Sequence, residues 1–119
     1  MTMKKISILI PAYNEAPVLE KLFARLGNLA NDNKDYDFEF LFINDGSRDK
    51  TLEIIKEYAD KDARVSYINF SRNFGKEIAM IAGLDHVTGD ATVIIDADLQ
   101  DPPELIPQMI KFWEEGYDD

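Results

Sequence analysis

Along this chain the spacing of apolar positions switches repeatedly between strand-like runs and helical stripes, which predicts alternating strands and helices. Lys4 to Ile10 is an apolar run of strand length, and from Glu15 to Leu29 the residues Val18, Leu19, Leu22, Phe23, Leu26 and Leu29 recur at helical spacing on one face. Pro17 falls in the first turn of that helix, where a missing amide hydrogen costs nothing. The polar stretch Ala30 to Asp37 reads as a loop and Phe38 to Asn44 as a second strand. A second helix follows from Asp49 to Asp60, burying Leu52, Ile55 and Tyr58. Val65 to Phe70 is the third strand, and Lys76 to Val87 a third helix with Ile78, Ile81 and Ala82 turned inward. Ala91 to Asp96 is the fourth strand. A last helix is expected to start near Pro103, carry Leu105, Ile106, Met109, Ile110 and Trp113, and stop at Gly116.

Four strands alternating with four helices imply an α/β fold in three layers, a mainly parallel sheet covered on both faces with right-handed crossovers. Residues 1–119 are enough for one domain, and no internal repeat, low-complexity tract or linker divides them. Open sheets of this kind take ligands outside the carboxyl ends of their strands. Four loops are expected to meet there: Pro11 to Glu15, Asp45 to Arg48, Ser71 to Gly75 and Ala97 to Pro102.

Charge narrows the choice of ligand. Thirteen basic against 23 acidic side chains give a formal charge of −10, the wrong sign for a nucleic-acid or anionic-membrane surface. There is no cysteine, so neither a disulfide framework nor a thiolate metal site is available, as fits a reducing cytoplasm. No apolar stretch approaches the roughly 20 residues that span a bilayer, and Met1 to Lys5 leads into an apolar run too short for a secretory signal. Asn69-Phe70-Ser71 matches a glycosylation acceptor but falls at the end of a predicted strand.

Neither common phosphate cradle is present: no G-x-G-x-x-G follows the first strand and no complete P-loop occurs, although Gly75-Lys76 imitates a fragment of one. The strand-end loops offer carboxylates instead, Glu15, Asp45, Asp96, Asp98 and Asp101, with the neutral oxygen ligand Gln100 among them. Such a cluster repels a diphosphate unless a cation stands between the two, and Mg2+ or Mn2+ commonly binds through one or two carboxylates plus substrate phosphates. Asp96 and Asp98 lie two apart and share a side if the strand persists. The plainer reading is that Asp98 and Asp101 cap the turn before Pro102-Pro103. Phosphoryl chemistry on the Asp cluster is a further class, disfavoured because the first strand ends in Pro11-Ala12-Tyr13 rather than in carboxylates.

Other loop residues carry two readings each. Asp45 either accepts hydrogen bonds from a ligand or binds backbone amides as a turn carboxylate, with Gly46 permitting a tight strand-to-helix turn. Tyr13 offers a flat face for a base, or is an exposed loop tyrosine. Asn14 is a candidate cap for the first helix, with Glu15 in its first turn. Arg72 and Lys76 either meet phosphates or end in solvent. His86, the one histidine, is placed for packing or exposure rather than catalysis.

Four segments in order, Ile10-Pro11-Ala12-Tyr13-Asn14-Glu15, Asn44-Asp45-Gly46-Ser47, Ser71-Arg72-Asn73-Phe74-Gly75-Lys76 and Asp96-Ala97-Asp98-Leu99-Gln100-Asp101-Pro102-Pro103, closely resemble the family 2 glycosyltransferases of GT-A fold. The last segment looks like the polyprenyl-phosphate branch, which includes dolichol-phosphate mannose synthases and bactoprenol glucosyltransferases. The resemblance implies that Pro11, Ala12, Tyr13 and Glu15 contact the nucleoside and that Asp45 assists base recognition. It puts Arg72 and Lys76 near the nucleotide, Asp96 at the ribose and metal region, and Asp98 and Gln100 on a Mg2+ or Mn2+ ion bridging both phosphates, with Asp96 and Asp98 as the catalytic pair.

The implied reaction is inverting transfer of a hexose from a UDP- or GDP-sugar to polyprenyl phosphate at the cytoplasmic face of the membrane. The acceptor phosphate is already largely anionic near neutral pH, its second pKa being about 6, so it needs less help from a general base than a sugar hydroxyl does. Resemblance also implies a further acceptor half, and in many members membrane helices, so residues 1–119 are expected to be the donor half alone. The fourth strand is then expected to present an edge through which copies associate.

Overall fold

In the computed structural model residues 3–97 and 106–116 are described. Four strands and four helices alternate: β1 (Lys4–Ala12), α1 (Ala16–Asp32), β2 (Tyr36–Asp45), α2 (Thr51–Lys61), β3 (Val65–Phe70), α3 (Lys76–Leu84), β4 (Ala91–Ile94) and α4 (Ile106–Glu114). The strands form one parallel sheet in the order β3-β2-β1-β4. The sheet is therefore the expected parallel one, and its first two crossovers run outward from β1 through β2 to β3 before the chain returns to β4 on the other side. The point where the strand order reverses, between β1 and β4, is where such sheets open a ligand crevice.

The two faces of the sheet are covered unequally. Ile6, Ile8, Ile10, Phe38, Phe40 and Phe42 point to one face, where Leu19, Leu22, Phe23 and Leu26 of α1, Ile55 of α2 and Ile106 and Ile110 of α4 close the main core. Strand alternation places Leu9, Leu41 and Ile43 on the opposite face, under α3. Phe23 ties the main layer together, its ring centroid 3.8 Å from that of Tyr58 on α2 and 4.8 Å from that of Phe42 on β2.

Several boundaries differ from the sequence expectation. β1 runs on to Ala12 and includes Pro11; its ladder with β4 ends at Leu9, so beyond that point it pairs on one side only and a proline is tolerated. The expected loop from Ala30 to Asp37 shrinks to residues 33–35, because α1 continues to Asp32 and β2 already begins at Tyr36, in register with Lys4. β4 ends at Ile94 rather than Asp96.

α3 corrects the expectation most. It stops at Leu84, three residues before Val87, and Ile78 and Ile81 are not inward: they are 49% and 61% exposed, while Ala79 and Gly83 are buried. Small residues let this helix lie close on the sheet, and a methyl group on Gly83 would run into the side chain of Leu9. Steric fit to the sheet thus overrides the ranking by hydrophobicity. Pro103 and Leu105, assigned by sequence to the start of the last helix, lie outside the described residues.

Candidate functional site: a cleft at the carboxyl ends of the strands

The site is assembled by contacts between loops distant in sequence. β1 ends at Ala12, and Asn14 follows in the left-handed region with φ 53°. Asparagine tolerates this conformation. It is not the cap of α1, as its position suggested: the cap position belongs to Glu15 and makes no side-chain cap bond. Asn14 instead accepts a hydrogen bond from the Arg48 amide at 2.7 Å and donates its own amide to Ser47 Oγ at 2.9 Å. The first amides around α1 are met from the loop before α2: Glu15 N donates to Thr51 Oγ1 at 2.9 Å and Ala16 N to Asp49 Oδ2 at 3.2 Å. Burial raises the Asp49 pKa, but the hydrogen bonds from Thr51 and Ala16 outweigh it and hold the carboxyl below its usual value.

At the end of β2, Asp45 is 3% exposed. A carboxylate so buried requires donors, and loop 71–75 supplies them. Phe74 N donates to Oδ1 at 2.8 Å, Gly75 N to Oδ2 at 3.0 Å, and the Asn73 side-chain amide reaches Oδ2 at 3.3 Å and the Asp45 carbonyl at 3.2 Å. Of the two readings the residues left open, amide binding is realised, with amides some thirty positions away. Gly46 completes the joint: φ is +69°, and a Cβ there would strike the Arg72 and Asn73 backbone.

Gly75, with φ +102°, is the residue before α3, so the Asp45 clamp fixes where Lys76 begins that helix. From there the Lys76 ammonium pairs with the Asp96 carboxylate, just beyond β4. Their side chains are 56% and 28% exposed, at the open mouth of the cleft.

All four strand-end loops contribute to one cleft of about 410 Å³, lined by Pro11, Ala12, Tyr13, Glu15, Asp45, Asn73, Gly75, Lys76, Asp96 and Ala97. Of the residues singled out from sequence, Pro11, Ala12, Tyr13, Glu15, Asp45, Lys76 and Asp96 converge here. Arg72 does not line the cleft; its guanidinium lies 4.9 Å from the centre of the Phe74 ring. Asn73 was not singled out, and only its reach back to Asp45, a tertiary contact, reveals its part. Asp98, Gln100 and Asp101 lie outside the described residues. Among the described residues no group of three or more His, Asp or Glu is placed to hold a metal ion. Asp96 is a hard oxygen donor facing the cleft, and its carboxylate pairs with the Lys76 ammonium. His86 is exposed, with Nδ1 2.8 Å from the Ala82 carbonyl oxygen.

Comparison with known proteins agrees with this fold. An uncharacterized glycosyltransferase of Bacillus subtilis is 51% identical over 112 residues, which are 94% of this chain and 34% of that protein. A bactoprenol glucosyl transferase of Shigella phage SfX is 47% identical over 114 residues, 96% of this chain and 37% of its own. The chain thus spans about a third of the length of these relatives. Among solved structures, a Pyrobaculum calidifontis mannosyltransferase in complex with GDP-Man and Mn2+ superposes with a TM-score of 0.70 at 23% identity, covering 86% of this chain and 34% of that one. S. aureus TarS in complex with UDP-GlcNAc gives 0.74 at 23% identity, covering 93% and 31%. Residues 7–119 match the family model described as Glycosyl transferase family 2, and the chain belongs to that family.

Proposed function

We propose that this chain is the donor-binding domain of a glycosyltransferase that moves a hexose, with inversion, from a UDP- or GDP-sugar to polyprenyl phosphate at the cytoplasmic face of a membrane. The observation that carries it is the convergence of four loops on one cleft holding Lys76 and Asp96 beside the exposed ring of Tyr13. A nucleoside diphosphate needs both an aromatic or apolar wall for its base and a place where its charge is met. The relative named a bactoprenol glucosyl transferase supports the polyprenyl acceptor, and the solved complexes with GDP-Man and UDP-GlcNAc support the donor class. No helix of the described residues is long and apolar enough to cross a membrane.

In this reading Pro11, Ala12, Tyr13 and Glu15 receive the nucleoside. Asp45, its carboxylate engaged by the 73–75 loop, has lone pairs left over for the base. Lys76 faces the phosphates, and Arg72 reaches them by leaving the Phe74 ring. Asp96 and Asp98 are the catalytic carboxylates, and Asp98 with Gln100 would hold Mg2+ or Mn2+. When bound, such an ion neutralises the charge that develops on the departing diphosphate. The acceptor phosphate is its own nucleophile, so no residue of the cleft has to serve as a strong base.

Titration calorimetry with UDP-glucose and GDP-mannose, with and without Mn2+, tests this directly. One of the two sugars should bind, more tightly with Mn2+, and Asp98→Ala should abolish the metal effect. Donor binding indifferent both to Mn2+ and to Asp98→Ala would remove the metal from the reading. A second reading is binding without transfer, in which the chain holds the nucleotide sugar in this cleft and turns nothing over. Sugar transfer to a polyprenyl phosphate by this chain would eliminate it.

A further inference from the structure

We infer that Thr51 is a positioning residue for the donor site: its buried hydroxyl, braced by Asp49, holds the backbone after Tyr13 and so sets the Tyr13 ring before a nucleotide arrives. The inference rests on the donor-site reading above and adds to it a residue that does not itself line the cleft.

Tyr13 is joined to the fold on both sides. Before it, Ala12 closes β1 and lies in register with Asn44 of β2. After it, the amides of Asn14, Glu15 and Ala16 donate to Ser47 Oγ, Thr51 Oγ1 and Asp49 Oδ2, so three consecutive donors are met by side chains of one segment, 47–51. The Arg48 amide ties the same segments in the opposite direction by donating to Asn14 Oδ1. Segment 47–51 is held in turn, because Asp45 and Gly46 just before it are locked to loop 71–75. Tyr13, 41% exposed, thus bridges two anchors: its ring is open to the cleft while its backbone is fixed at either end.

Thr51 supplies what only a hydroxyl can. It is the first residue of α2 and is 0% exposed. Its hydroxyl proton goes to Asp49 Oδ1, which also accepts from Thr51 N at 2.9 Å, and the oxygen keeps a lone pair for Glu15 N. Donor and acceptor capacity of one small buried group are both used, in a place where valine has the same shape and neither capacity. Without the hydroxyl the Glu15 amide loses its acceptor and the backbone of residues 14–16 loosens. A nucleotide must then order that loop as it binds, an entropic cost that is read as lost affinity.

The test is a double-mutant cycle on the whole chain, read as affinity for UDP and GDP by titration calorimetry with Mn2+ present, below the melting transition. Thr51→Val should weaken the nucleotide that the wild type binds by about fivefold, as expected for one hydrogen bond, and Thr51→Ser should restore it. Tyr13→Ala should weaken it by about tenfold. Adding Thr51→Val to Tyr13→Ala should then cost nothing further, whereas independent effects would multiply to about fiftyfold. Ile6→Val, a core change at the amino end of β1, lowers stability without touching the loop and should leave affinity unchanged. Asn14→Gly keeps the left-handed turn and removes only the acceptor for Arg48 N, so it runs the same cycle by a second route should Thr51→Val fail to fold. Undiminished affinity in Thr51→Val, an equal loss in Ile6→Val, or additive losses with Tyr13→Ala overturns the inference and leaves the donor site standing. If the wild type binds neither UDP nor GDP, the donor reading itself falls, and the inference with it.

Discussion

Each end of the sheet is closed by a carboxylate on β2 that accepts hydrogen bonds from a segment distant in sequence, yet the two ends do different work. At the carboxyl end Asp45 holds the amides of Phe74 and Gly75. At the amino end Glu39 Oε2 accepts from Ser7 Oγ at 2.5 Å, from Thr88 N at 3.0 Å and from Thr88 Oγ1 at 3.2 Å, while Gly89 N donates to Ser7 Oγ at 2.9 Å. Lys5 Nζ donates to Thr88 Oγ1, and Lys5 N to Asp90 Oδ2, so the turn into β4 is pinned to β1 and β2 together. The same chemistry is a structural clasp at one end. At the other, the segment it holds leads straight into α3 and presents Lys76 to the cleft. A buried carboxylate therefore says that two segments are joined, and only the residue that comes next says whether the joint is a site.

The contrast is broken most severely at Gly46. Replacement by Val puts a β-branched residue at φ +69° and its Cβ into the Arg72 and Asn73 backbone; a loss of about 3–5 kcal/mol is expected. Urea unfolding measures it, and a loss below about 1 kcal/mol would mean that the two loops are not interlocked as described.

Asp45→Ala follows. Two backbone amides lose their acceptor, the Asn73 side chain loses one of its two, and stability should fall by about 2–3 kcal/mol. Nucleotide affinity should fall as well, measured below the melting transition, because loop 73–75 is no longer held. Retention of full affinity would reduce Asp45 to a clasp like Glu39.

Glu39→Gln is the smaller partner experiment, with a loss of about 1 kcal/mol and unaltered nucleotide binding. It also has a pH signature. Burial raises the Glu39 pKa, but the bonds from Ser7 and Thr88 and the charge of Lys5 prevail, so the folded value lies below the usual 4.5. A depressed folded pKa contributes stability that is complete above the unfolded value and is lost as the pH falls through the folded one. Unfolding free energy of the wild type should therefore decline below pH 4.5, and Glu39→Gln should flatten part of that decline. The Asp62 carboxyl, lowered chiefly by its hydrogen bonds from Arg64, and Asp49 keep the rest of the slope in the variant. An unchanged slope would show that Glu39 does not titrate as the clasp requires.

How much of this was legible in advance depends on the range of the forces involved. The strands and helices were, because the apolar period is local: Val65–Phe70 matches residue for residue, and the parallel pairing follows from alternation. The inward face of α3 was not, since Ile78 and Ile81 outrank Ala79 and Gly83 in hydrophobicity, and only the closeness of the sheet reverses the choice. The cleft was legible as a set of loops, because a parallel sheet brings every second connection to the same rim. Its internal bonds were not. Asn14 to Arg48, Asp45 to Gly75 and Lys76 to Asp96 join positions 20 to 34 apart, and nothing in the local pattern of any of them names its partner.

By itself, then, the sequence determined what depends on near neighbours and residue type: the alternation of elements, the parallel sheet, the acidic rim without a glycine cradle, and the family. Tertiary structure alone decided which polar groups at that rim hold loops together, as Asp45 and Asn14 do, and which side chains line the cleft, as Asp45, Lys76 and Asp96 do. The physical reason is that a buried polar group must find a partner wherever the fold offers one, and the fold offers it across space, without regard to the distance along the chain.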